Sequence, residues 1–296
     1  MTDLTIKYGE WAIVTGATSG IGRSFAEQLA GNGVNVVLVS RTQSELNSVS
    51  EELRESFGIQ TRTLPLDLTR SSHRKQLEAE TADLDIGILI NNAAVEQFGS
   101  FVGHDSQELR DSIELNVVAP SELGHWFGRR FVERGRGAII FLAGNIGYQA
   151  VPHLASYAAA KAHQLHLAEA LHYELRSHGV DVLALSPGIT KTPMMNRIEE
   201  AIRFRRIGLI KSKPESVAHL GLRKLGRRAS VAVGLQTNIL AILMKFALTR
   251  GMGAWLFGFL LRHAFVDKSL LNPERNDKKI AETDYQPKSS RQLTEA

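Results

Sequence analysis

One pattern narrows the possible folds of this chain more than any other. Across the first two-thirds, short β-like, largely apolar runs alternate with amphipathic helical stretches. The runs fall at residues 11–15, 35–39, 61–66, 86–90, 138–142 and 180–185, and helical patterns fall between them, as at 23–30 and 44–57. A strand that is apolar along its whole length has both faces covered. Strands alternating with helices are therefore expected to form a parallel sheet between two helical layers. Right-handed crossovers then give a doubly wound, Rossmann-type α/β sheet.

The last third reads differently. Residues 196–230 carry ten Lys/Arg against three Asp/Glu. Residues 231–265 are strongly apolar, and from 266 the chain turns polar and mixed in charge. The expected division is a Rossmann domain over 1–195, a basic segment over 196–230, an apolar helical appendage over 231–265 and a mobile polar tail over 266–296. The uncharged stretch 229–244 is 16 residues long, and Lys245, Arg250 and Arg262 follow it. A membrane-spanning helix wants about 20 apolar residues, so a clean span is not expected. Two readings stay open for 231–265: an apolar hairpin at a membrane surface, helped by the basic segment before it, or a cap packed on the protein.

Composition excludes several classes. The 296 residues are 43% hydrophobic and 22% charged, which suits a globular chain and argues against global disorder. The absence of cysteine removes disulfides, thiolate metal sites and a Cys nucleophile, and fits a reducing compartment. A net charge of +4 is too mild to call for nucleic acid, and no nucleic-acid-binding motif is visible. The N-terminus lacks an apolar signal region, so a cytoplasmic protein, peripheral at a membrane if the surface reading holds, is expected. His163, His166 and His172 share one helical stretch, but without neighbouring ligands they read as packing residues, and no metal is expected.

The first run leads into Thr15-Gly16-Ala17-Thr18-Ser19-Gly20-Ile21-Gly22, and a helix follows. Glycines there let the backbone approach a pyrophosphate, and the helix N-terminus offers unpaired N–H groups and a positive dipole end. After the second run stands Ser40-Arg41, with no acid before Glu45. NAD sites place a carboxylate at this turn for the ribose 2′-hydroxyl, whereas an Arg accommodates a 2′-phosphate. NADP(H) is therefore the expected cofactor. Asp67-Leu68 and Asn91-Asn92-Ala93 stand at strand C-terminal ends, the edge where doubly wound sheets bind ligands. Tyr157 and Lys161, four apart on a helix expected over 156–178, share one face. An ammonium beside a phenol favours the phenolate, and a Tyr tuned this way can exchange a proton with a carbonyl or alcohol oxygen.

Together these motifs resemble the classical short-chain dehydrogenase/reductase family over about residues 7–195: TGATSGIG, the Asp67 turn, NNAA, Asn116 in ELNVVAP, YAAAK, and Ser186-Pro187-Gly188-Ile189-Thr190-Lys191-Thr192. The resemblance implies hydride transfer to or from a carbonyl or alcohol carbon. It makes Tyr157 the acid/base and Lys161 the residue that grips the nicotinamide ribose and tunes Tyr157. Asn116 would support a water chain to Lys161. The backbone of Ile189, with Pro187, Gly188 and Thr192, would hold the nicotinamide, and Asp67 and Asn91 would line the adenosine side. It also implies a homo-oligomer and a substrate lid after Thr192, over about 194–206. An apolar lid and appendage suggest a lipophilic substrate such as a fatty acyl, steroid or terpenoid ketone.

One position departs from the family. Its active-site Ser lies thirteen residues before the Tyr, and here that position is Gly144. Three readings follow: Asn145 supplies the missing donor; the substrate brings its own donor or is not a simple ketone, as in imine reduction; or the chemistry is weakened, down to a non-catalytic dinucleotide-binding protein. Retention of Tyr157, Lys161 and Asn116 together argues against the last.

Overall fold

The computed structural model describes residues 4–201, 211–234 and 249–264. The chain opens with a short helix α1 (Leu4–Tyr8) and then alternates: β1 (Trp11–Thr15), α2 (Gly20–Ala30), β2 (Asn35–Ser40), α3 (Gln43–Phe57), β3 (Thr61–Pro65), α4 (Ser71–Ala79) and β4 (Ile86–Asn91). Next come α5 (Ser106–Ile113), α6 (Ala119–Arg134), β5 (Gly137–Leu142), α7 (Ala155–Leu175), β6 (Val180–Pro187), α8 (Pro193–Ala201), α9 (Pro214–Lys224), β7 (Ser230–Val233) and α10 (Arg250–Ala264).

The strands form one parallel sheet in the order β3-β2-β1-β4-β5-β6-β7. The chain winds outward from β1 to β3, then crosses to β4 and winds the other way. The crevice between the C-terminal ends of β1 and β4 is thus the switch point where such sheets bind nucleotides. The expected continuous apolar strands are present: β1, β4 and β5 are buried at every residue. Alternate residues face opposite layers. Ala12 and Val14 join Phe25, Leu29 and Leu38 on one face, while Trp11 and Ile13 join Phe127, Phe131 and Phe141 on the other. Stripping either face would expose side chains worth about 1.5–3 kcal/mol each, so the sheet depends on both helical layers.

The boundary expected at residue 195 moves. α9 packs against α2 on the first face, with Val217 and Ala218 buried, and β7 pairs in parallel with the end of β6, Ala184 opposite Ser230 through Pro187 opposite Val233. The Rossmann layer therefore runs to Val233 and takes in most of the basic segment 196–230, as well as the first residues of the supposed appendage. The remainder of 196–230 splits into α8 and a stretch, 202–210, that lies outside the described residues, as do 235–248 and the tail from 265. The far end of the expected lid, 202–206, falls in the first of these. Among the described residues no helix is long and apolar enough to cross a membrane.

Candidate active site

Helix α2 begins against the end of β1. Its N-cap, Ser19, is extended and makes no side-chain cap bond, and the first turn holds no acid. Its first amides thus keep an unneutralised positive end, suited to an anion. A Cβ on Gly22 would stand 2.2 Å from Gly16 O and 2.5 Å from the Asn92 amide nitrogen, so only glycine lets the turn close this tightly. Gly20 lies against Thr192, whose methyl would be 2.9 Å from an added Cβ, so the loop after β6 meets the start of α2 beside Ile21. Thr18 Oγ1 is 3.3 Å from Ser40 Oγ, and exposed Arg41 follows Ser40 at once. The glycine loop and the Arg41 turn are therefore neighbours, as a nucleotide with a 2′-phosphate requires. These residues fit a dinucleotide.

Several residues expected to touch the cofactor also brace the loops. Asn92 Nδ2 donates to Thr15 O at 2.8 Å and Gly16 O at 3.2 Å, while the Asn92 and Ala93 amides donate to Thr15 Oγ1 at 2.9 and 3.0 Å. Asn91 Nδ2 donates to Pro120 O. Asp67 Oδ1 accepts from Thr69 N and Thr69 Oγ1, a turn leading toward α4, and Leu68 is buried with its carbonyl accepting from Arg74. After β6, Thr190 Oγ1 donates to Gly188 O, Ser212 N to Ile189 O, and Met195 N to Thr192 Oγ1. These ties set the course of the loop from Pro187 into α8.

Asn116 sits in a single π-helical turn, Glu114–Val118, between α5 and α6. Such turns interrupt the regular ladder and often mark functional positions. Its side chain clamps Val95 on both sides, accepting from Val95 N at 3.2 Å and donating to Val95 O at 2.8 Å. Its carbonyl accepts from Gln164 Nε2 of α7 at 2.7 Å. Asn116 thus clamps the loop after β4, and its backbone carbonyl, which accepts from buried Gln164, has a second lone pair.

Tyr157 and Lys161 share one face of α7, as their spacing requires, but no hydrogen bond joins them. Lys161 Nζ lies 5.6 Å from the Tyr157 ring centre and donates to Leu142 O, at the end of β5, at 2.6 Å. The Tyr157 hydroxyl is 4.0 Å from Met194 Sδ on α8. Burial holds the Tyr157 phenol above its ordinary value, with the Glu96 carboxylate adding to the effect, and burial lowers the Lys161 amine to about 7. Burial is thus the dominant influence on the phenol in the protein alone. The protein by itself keeps the proton on Tyr157, the state a general acid needs.

Gly144 has φ 74° and ψ 149°, a region open essentially to glycine alone, although an added Cβ would find only the Ile146 methyl, at 3.9 Å. The loop thus has room for a hydroxyl but a backbone that disfavours any side chain. Asn145 opens the 3₁₀ turn Asn145–Tyr148, which packs on α7, and its half-buried amide bonds to no described residue.

Sequence reasoning missed Glu96 and Gln164. Glu96 stands in an unpatterned loop after β4, yet its carboxylate is almost wholly buried and paired with Arg197 of α8. Burial raises its pKa against the lowering effect of Arg197. Of the three histidines of α7, His163 bonds Ser121 and His172 bonds Val182 O. No cluster of three metal-ligating residues occurs among the described residues.

Residues 10–203 match the short chain dehydrogenase family, and the chain belongs to it. It is 32% identical over 233 residues to the 7beta-hydroxysteroid dehydrogenase of Collinsella aerofaciens, covering 78% of this chain and 89% of that protein. It is 32% identical over 222 residues to the very-long-chain 3-oxoacyl-CoA reductase of Homo sapiens, covering 74% and 69%. It is also 33% identical over 231 residues to the inactive hydroxysteroid dehydrogenase-like protein 1 of Homo sapiens, covering 76% and 68%. A solved structure from work on 7beta-hydroxysteroid dehydrogenase stereoselectivity superposes with a TM-score of 0.81 at 30% identity, over 86% of this chain and 99% of that one. A short-chain dehydrogenase from Sphingobium yanoikuyae in complex with NADPH superposes at 0.69 with 29% identity, over 81% and 96%.

Proposed function

We propose that the protein is an NADPH-dependent carbonyl reductase of a lipophilic ketone of the steroid or fatty-acyl kind, running in either direction. The observation that carries this is the buried Tyr157 phenol, set beside Lys161 and under Met194 at the C-terminal edge of the sheet that also holds a glycine turn built for an anion. Bound NADPH supplies the hydride. The Tyr157 hydroxyl gives its proton to the carbonyl oxygen. Lys161, anchored on Leu142 O, stands beside the ring, and its cationic form favours the phenolate that remains. Asn145 donates to the same oxygen in place of the hydroxyl that Gly144 lacks. The relatives that act on hydroxysteroids and oxoacyl-CoA fit the lipophilic substrate, and the relative bound to NADPH fits Arg41.

The test is NADPH consumption against a panel of lipophilic ketones, with Tyr157→Phe beside the wild type. Loss of the proton donor is expected to lower turnover by about 10²–10⁴ with NADPH binding retained. A Phe variant with near-normal turnover refutes the assignment. Absence of turnover by the wild type on every ketone, with NADPH still bound, favours the non-catalytic reading that the inactive relative suggests.

A second reading concerns location. From 216 to 266 the chain has no Asp or Glu and seven Lys/Arg. Within it, α10 exposes Met252, Trp255, Phe259 and Leu260 along one stripe. A basic, acid-free helix with an exposed aromatic stripe suits an anionic lipid surface. On this reading the protein is cytoplasmic and peripheral at a membrane. Trp255→Glu combined with Phe259→Glu should abolish sedimentation with anionic vesicles, and a wild type indifferent to vesicles refutes it. An apolar hollow between Phe101, Ile113 and Val117 on one side and Ala155 and Ala159 on the other fits a homo-oligomer contact, which sedimentation velocity checks.

A further inference from the structure

Glu96 poses a physical question. A carboxylate buried to 4% side-chain exposure is costly unless it is paired. Its partner is Arg197, 101 residues later, held by two bonds: Nε to Oε1 at 3.1 Å and Nη2 to Oε2 at 3.4 Å. The guanidinium reaches in from the surface, with 61% of its side chain exposed, to meet a carboxylate that is fixed from within. The fixing is visible next door: Val95 is clamped through both its N–H and its carbonyl by buried Asn116. The pair therefore ties the clamped loop after β4 to α8. On α8 the residue above the Tyr157 hydroxyl is Met194, three residues before Arg197 and so on the same side of the helix.

We propose that Glu96 is a positioning and specificity-determining residue: its ion pair with Arg197 seats α8 so that Met194 bounds the space over the Tyr157 hydroxyl, and thereby limits the bulk of the ketone admitted. This rests on the reading of Tyr157 as the acid, but the seating of α8 does not. The pair acts mainly on fit: burial, not Glu96, is the larger cause that holds the proton on Tyr157. Breaking it lets α8 swing away, and a bulky ketone gains relative to a compact one.

The experiment uses the full chain and three variants: Glu96→Gln, Arg197→Met and the double variant. Two measurements are made on each. The first is hydrogen exchange of the α8 amides. The second is the ratio of kcat/KM for a bulky ketone to that for a compact one, both reduced with NADPH. Each single variant is expected to speed α8 exchange at least tenfold and to shift the ratio toward the bulky ketone at least fivefold, mainly through KM. The double variant should not exceed the larger single effect, because both remove one interaction. Arg197→Met changes an exposed residue, so it remains informative if Glu96→Gln misfolds. Unchanged α8 exchange in the variants overturns the proposal, and so does an unchanged ratio. Effects that multiply in the double variant overturn it too. If no ketone is turned over by the wild type, the reductase reading fails, and the exchange measurement alone decides the seating of α8.

Discussion

Gly144→Ser restores the family's usual side chain, yet the structure argues that it will not restore a better enzyme. At φ 74° and ψ 149° the backbone of Gly144 lies where an L-residue pays about 1–3 kcal/mol. Space is not the obstacle, since the nearest atom to an added Cβ is the Ile146 methyl at 3.9 Å. The penalty can be met in two ways. If the loop keeps its course, stability falls by that amount, and the melting temperature by roughly 2–4 °C per kcal/mol for a chain of this size. If the loop relaxes, Asn145 and the turn it opens move off α7. Either way Gly144→Ser should lower thermal stability and leave kcat unimproved. Asn145→Ala should lower kcat more than tenfold with a smaller change in KM, since a donor to a developing oxyanion is worth about 2.7–4 kcal/mol. The assay is paired: melting by circular dichroism, and steady-state kinetics on one ketone that the wild type reduces. A Ser variant with unchanged melting and a rate gain above tenfold, beside an Asn145→Ala variant of normal rate, would refute the reasoning and mark the protein as a weakened reductase.

Arg41→Ala should weaken NADPH binding by about 10- to 100-fold, the worth of a charge-assisted bond, and leave NADH nearly unchanged; equal losses in a binding titration would remove the NADP argument. Lys161 carries a pH signature. Its folded pKa, about 7, lies below its ordinary 10.5, so above pH 7 the unfolded chain binds the extra proton. Its contribution to stability therefore rises with pH between those values, by at most about 1.4 kcal/mol per pH unit. Urea unfolding at pH 7 and pH 9 should show that rise in the wild type and lose it in Lys161→Met; equal slopes would contradict the burial of the amine.

The parallel sheet was legible because its central strands β1, β4 and β5 are apolar along nearly their whole length, and β1 through β6 fall within two residues of the runs read from the sequence. β7 was not legible. Ser230–Val233 is four residues long at a sheet edge, and it merges into the uncharged stretch that continues to Met244, so no period separates it. Its identity as a strand comes from pairing with β6, a contact that local pattern does not encode. The glycine loop was legible because the steric need at Gly22 is local. The Tyr157–Lys161 pair was legible as a spacing but not as an electrostatic state, since the pKa of each is set by burial under segments far away in the chain. Glu96 was invisible for the same reason: nothing within ten residues of it signals a buried charge, and its partner lies 101 positions on.

The site residues therefore divide by what they touch. Thr15, Asn92, Asn116 and Gln164 form a relay of bonds from the end of β1 to the middle of α7: Asn92 to Thr15, Asn116 to Val95, and Gln164 to Asn116. None of these bonds requires a ligand. Each ties one loop of the C-terminal edge to the next, so the glycine turn and Tyr157 keep their separation before anything binds, which is the preorganisation that lets donors act without moving. The Glu96–Arg197 pair extends the relay to α8, but through an exposed guanidinium where the inner ties are largely buried. The tie to α8 is therefore the one for which water competes most readily, and hydrogen exchange of the α8 amides should report its loss before that of the inner ties.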